Sequence, residues 1–182
     1  MKALFQKYKT VVRFVVLFLG TYLVLSFLYS VYLNFSKEGN YSPDFITNLV
    51  AKQSSTLISG FGYSSEVIPH ISKPTMKLFI NQQYLARIIE GCNAISIIIL
   101  FLAFVISFAQ KFKITFLFLF AGAVLIYGFN ILRIAILAIA LYHYPQHEKI
   151  LHGVVFPGLI YGMVFLLWMI WVRVISKNNI SK

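Results

Sequence analysis

With 182 residues, 59% of them hydrophobic and only 12% charged, the chain lies outside the range of soluble globular domains, which sit nearer half apolar and a quarter charged. A mean hydropathy of +0.81 leaves little room for a soluble domain. One cysteine excludes an internal disulfide and any multi-thiolate zinc or iron–sulfur site, and the net charge of +11 is too dispersed to be a nucleic-acid footprint.

A helix needs about 20 apolar residues to cross about 30 Å of hydrocarbon. The first such run covers residues 11–33 and follows Lys2, Lys7 and Lys9. It is too long for the apolar region of a signal peptide and no A-x-A-like site follows it, so it is expected to stay as an anchor. Residues 34–91 form a more polar segment. Within it, Ser42-Pro43-Asp44 reads as a helix start with Ser42 as N-cap and Pro43 as first helical residue. Ile46, Leu49, Val50 and Leu57 then share one face, as in an interfacial amphipathic helix. GFGYSS is a turn, and EVIPHI and KLFINQQYLARII read as short strands of a hairpin around Lys73-Pro74. Further apolar runs cover residues 93–109, 114–142 and 153–172. The predicted fold is an all-α polytopic membrane protein in one membrane domain, with four transmembrane helices and a small extracytoplasmic helix/hairpin segment.

Charge sets the orientation. Lys2, Lys7, Lys9 and Arg13 flank the first run, Lys111 and Lys113 lie between the second and third, and Arg173, Lys177 and Lys182 follow the fourth. None of these segments holds an acid. Glu38, Asp44, Glu66, Glu90 and Glu148 all fall in residues 34–91 and 143–152. By the excess of positive charge on the cytoplasmic side, both termini are expected inside a cell (inner) membrane, with residues 34–91 and 143–152 outside.

Three groups then reach one depth. Cys92 stands at the outer end of the second span and His152 just before the fourth. Arg133 lies about 19 residues into the third, about 28 Å along its axis. An ionisable group inside a span is costly and marks function by default, although near an interface it can also snorkel. Asn130 shares its helical face. A thiolate nucleophile, a histidine that moves protons and a cation facing an oxyanion make an acyl-transfer site. A helix N-terminus and a neighbouring cation favour the thiolate. Glu90 is a candidate for orienting His152 or the substrate. The rival zinc motif in HYPQHEKILH fails on spacing, since His147 and His152 are five apart and Pro145 separates His143 from His147. No metal or cofactor is expected.

E-G-C at 90–92, N-I-L-R at 130–133 and the His152-Gly153 pair, in this order and at span edges, resemble the exosortase/archaeosortase family of polytopic membrane transpeptidases. The chain's length and its LHGVVFPGLIYG stretch look most like the exosortase F branch of Bacteroidetes. The resemblance implies Cys92 as nucleophile, His152 as acid/base and Arg133 as the oxyanion or substrate-orienting cation. It implies substrates that are membrane-tethered secreted proteins with a carboxyl-terminal sorting signal, cleaved on the outer face and passed to an acceptor. Many members follow the cysteine with Ser-Gly, whereas this chain has Asn93-Ala94. The expected partners are such substrates and the lipid bilayer, and no nucleic acid. Small residues such as Gly122, Gly128, Gly158 and Gly162 are candidate seats for the substrate's own helix. Two non-enzymatic readings compete: a membrane assembly or scaffold protein, and a small transporter or channel subunit with Arg133 as anion site. The second needs a polar path, yet the spans carry few polar residues below Asn130.

Overall fold

The structure is a computed structural model that describes residues 8–38, 43–71 and 73–180, with backbone alone at residues 37–38, 152 and 177–180. Lys2, Lys7, Ser42 and Lys182 lie outside the described residues, as does the side chain of Lys177. In hydrocarbon every backbone N–H and C=O must be satisfied within the segment, so long apolar runs become helices even when rich in β-branched and aromatic residues. Helix α1 (Lys9–Glu38) is such a run. Its most apolar stretch is 0% buried within the protein, so most of its surface is free for lipid.

The next element starts later than Ser-Pro-Asp predicts. Helix α2 runs Phe45–Gly60, and its N-cap is Asp44, whose Oδ1 accepts from the backbone N–H of Ile46 and of Thr47, both at 3.1 Å. Asp and Ser are comparable N-caps, so composition alone does not choose between Ser42 and Asp44. The tyrosine hydroxyl of Tyr32 also donates to Asp44, at 3.3 Å, which ties the end of α1 to the start of α2. The buried stripe of α2 is Thr47, Val50, Ala51, Ser54 and Ile58, while Leu49 faces out. Small residues dominate that stripe because it packs closely against a sheet.

That sheet extends the expected hairpin to three strands beside a mostly helical fold. Strands β1 (Ser65–Pro69), β2 (Met76–Ile80) and β3 (Gln83–Ile88) form an antiparallel sheet in the order β1-β2-β3. The stretch expected as one strand of a hairpin is itself a hairpin, turned at Asn81 (φ 48°) and Gln82 (φ 66°). Two positive φ values match the right-handed twist of the flanking strands. Central β2 buries Met76, Leu78 and Ile80 with the period of two that a half-buried strand requires. They join Val50, Ala51 and Ile58 of α2 and Ile134, Ala135 and Ala138 further along in one core.

Helix α3 (Ile95–Ser107) has 13 residues, about 20 Å at about 1.5 Å each. Helix α4 (Phe112–His143) has 32, or about 48 Å. A 3₁₀ turn at Pro145–His147, one helical turn at Glu148–Ile150 and a π-helical turn at Leu151–Val155 lead into α5 (Phe156–Ile180). Three described helical stretches are long and apolar enough to cross a membrane, within α1, α4 and residues 145–176, and α3 is a shorter apolar helix beside them. It lies antiparallel to α1: Phe108 stacks on Phe14 at 4.6 Å, and at the opposite end Asn93 reaches Tyr29. Phe104 stacks on Trp168 and Phe118 on Trp171, building a second core from α3, α4 and α5. Gly122 of α4 is needed there, because a Cβ would collide with the Phe101 ring. Gly122 is therefore an internal contact and not a seat for another helix, whereas Gly128, Gly158 and Gly162 have nothing within 4 Å of that position.

Candidate active site

The two cores meet at residues 92–94: Cys92 packs against the core that holds the sheet and Ala94 belongs to the second. Strand β3 ends at Ile88, and Glu90–Cys92 make one 3₁₀ turn in which the Cys92 N–H donates to the Ile89 carbonyl at 2.8 Å. The turn is held from α4, where Asn130 Nδ2 donates to the Cys92 carbonyl at 2.7 Å. Behind it, Asn93 is 1% exposed and joins three elements. Its Nδ2 donates to Tyr29 Oη at 2.8 Å and to Thr47 Oγ1 at 3.2 Å, and its Oδ1 accepts from the N–H of Ile95 at 3.0 Å. A serine is too short to reach both hydroxyls, so asparagine adds a structural role at this position. Ala94 stands at φ 65°, ψ 0°, in the left-handed region that glycine occupies at little cost. The backbone beside the thiol thus takes a glycine-like conformation without the glycine.

Cys92 and Arg133 line one cavity of about 580 Å³, within the range of ligand pockets. Arg133 is half-buried. Its Nε is buried with no hydrogen-bond partner, and so is Oδ1 of Asn130, one turn earlier. These are two of six unpaired buried side-chain atoms among the described residues, and of the two residues Arg133 lines the cavity while Asn130 does not.

The structure therefore brings Cys92, Arg133 and Asn130 together. Glu90 is exposed at the start of the 3₁₀ turn and does not line the cavity. His152 lies in the π-helical turn, but its side chain is outside the described residues. Glu148, four residues before it, does line the cavity. Sequence reasoning weighed Glu148 only as part of a metal motif and missed the strand wall at residues 84–89, Arg87 among them. The available signal was the four-residue spacing from Glu148 to His152. Among the described residues no group of three or more His, Cys, Asp or Glu could hold a metal ion, and His143 is engaged with the Tyr63 hydroxyl at 2.8 Å.

A family model described as transmembrane exosortase matches residues 6–172. No curated protein and no solved structure matches the chain.

Proposed function

The chain belongs to the transmembrane exosortase family, and from that premise we propose a membrane-embedded cysteine transpeptidase that cleaves carboxyl-terminal sorting signals at the extracytoplasmic face. The observation that carries this reading is the cavity that Cys92 and Arg133 line together.

In the proposed cycle the Cys92 thiolate attacks the scissile carbonyl and a C–S bond forms. The Arg133 guanidinium faces the oxygen that becomes negative, where a preorganised cation stabilises the transition state more than the ground state. Asn130 holds the Cys92 carbonyl and so fixes the turn from which the thiol projects. Collapse breaks the C–N bond, and His152 gives its proton to the leaving amine. An acceptor nucleophile then loses a proton to His152 and attacks the thioester, and the C–S bond breaks to restore the thiolate beside the protonated His152. A π-helical turn at the proposed acid/base supports this role, since such turns often occur at functional sites. The reading places the protein in the inner membrane, with four spans, both termini inside and the cavity outside. Within the family, the chain length and LHGVVFPGLIYG support the exosortase F branch.

The test replaces the chromosomal copy with Cys92→Ala or Arg133→Ala and follows carboxyl-terminal peptides of membrane-tethered secreted proteins by mass spectrometry. Full-length tails should accumulate in both variants at unchanged enzyme level. Tails trimmed as in wild type would overturn the proposal and favour an assembly or scaffold role.

A further inference from the structure

The cavity beside Cys92 has an unusual wall. Consecutive residues 84–89 all line it. Side chains alternate between the two faces of a strand, so one face could supply only every second residue. A cavity that touches each residue in turn runs along the edge of the strand. β3 is an edge strand, since it pairs with β2 alone in the sheet order β1-β2-β3. Its other edge presents the N–H and C=O groups that a further strand would use. Leu85 is the extra residue of a bulge, because Ala86 pairs with Leu78 and Tyr84 with Phe79. Bulges next to active sites re-aim a strand.

The opposite wall is α4, with Arg133, Leu137 and Leu141 on successive turns. Arg133 to Leu141 covers about 12 Å of helix, the length of about four extended residues. β3 runs toward Cys92, and the Arg133 end of the α4 wall also lies at Cys92. A further depression carries the groove on past Gln83, Tyr84 and Leu85 to Pro145 and Glu148.

We propose that the free edge of β3 pairs, as a parallel fourth strand, with about four extended residues of the substrate that precede the scissile bond. The inference rests on the transpeptidase reading, which sends the substrate chain from the outer segment down to its own membrane helix and so in the direction of β3. Main-chain pairing supplies affinity without regard to sequence, and the apolar α4 wall and Glu148 meet the alternate side chains. Cys92 and Arg133 line the end of the groove toward which β3 runs, where the peptide group to be cut would arrive.

The probes are acetyl-alanyl chloromethyl ketone, an acetylated Ala-Val-Ala-Val chloromethyl ketone and its singly N-methylated forms. The readout is the alkylation rate of Cys92 in the detergent-solubilised full chain by intact mass, with Cys92→Ala as blank. The tetrapeptide should react about tenfold faster than the single residue. N-methylation should remove that gain at alternate positions only, because successive N–H groups of a strand point to opposite sides. A rate independent of length, or a loss without a period of two, overturns strand pairing and leaves the nucleophile standing. A Cys92 that no reagent alkylates overturns both.

Discussion

At the scale of single residues, the site depends on how residues 92–94 are held. Ala94 at φ 65° carries a left-handed penalty of about 1 kcal/mol that glycine would avoid, but its methyl group is buried, worth about 0.8 kcal/mol. The two nearly cancel. Ala94→Gly should therefore leave thermal stability in detergent within about 1 kcal/mol of wild type, whereas Ala94→Val should cost about 2–3 kcal/mol. A large loss in the glycine variant would show that the left-handed conformation is not what this position requires. Asn130→Ala strands the Cys92 carbonyl, whose desolvation is worth about 1–3 kcal/mol, and releases the turn that aims the thiol. Tail cleavage by Asn130→Ala should fall about tenfold or more at equal membrane abundance, since about 1.4 kcal/mol is a factor of ten in rate. Asn130→Asp should not restore it, because a carboxylate cannot donate to that carbonyl. Cleavage at the wild-type rate in either variant would remove Asn130 from the machinery.

At the scale of elements, α3 is the piece on which the site hangs, and it is held mainly by rings. It meets α4 where the Phe101 ring lies over Gly122. Gly122→Ala should destabilise the protein by about 1–3 kcal/mol, and Phe101→Leu in the same chain should recover part of the loss, a coupling that a double-mutant cycle measures. Additive losses would mean that the two helices do not meet there. The long spans were legible in the sequence because hydrocarbon rewards unbroken apolar runs whatever their helix propensity. Helix α3 covers less than the apolar run 93–109: Ala94 stands at its N-cap in the left-handed region beside Asn93, whose Oδ1 accepts from the Ile95 N–H, and Phe108 is its C-cap. The β2–β3 turn was hidden because Asn81-Gln82 lacks the glycine that marks most two-residue hairpins, and Asn81 compensates with bonds to Ser64 and Tyr142. Cys92, at the head of one helix, and Arg133, inside another, are expected at one depth and line one cavity. The strand edge and Glu148 that complete their cavity come from tertiary packing, which no local pattern encodes.

For the whole molecule, the lengths of α3 and α4 decide where the site sits. Helix α4 is about 48 Å long against about 30 Å of hydrocarbon, so about 18 Å must project. Thr115 Oγ1 accepts from the Gln110 N–H beside Lys111, which closes the α3–α4 turn and marks one membrane face at the start of α4. The excess therefore falls at the other end, and the last turns of α4 wall the core that holds the sheet through Ile134, Ala135 and Ala138. In the proposed topology this leaves Arg133 at the rim, where a scissile bond just outside a substrate helix would arrive. In the same reading helix α3, with about 20 Å of regular helix, crosses with local thinning of the bilayer or with the 3₁₀ turn and residues 108–110 completing the span. Single cysteines placed at exposed Ser59 and Lys111 in a Cys92→Ala chain test this with an impermeant maleimide on spheroplasts. Ser59→Cys should label in intact spheroplasts and Lys111→Cys only after permeabilisation. The reverse pattern would invert the orientation and put the cavity inside, where a secreted tail cannot reach it. Labelling of both from one side would mean that α3 does not cross, and the thiol at its head would then lack a membrane-edge position fixed by four spans.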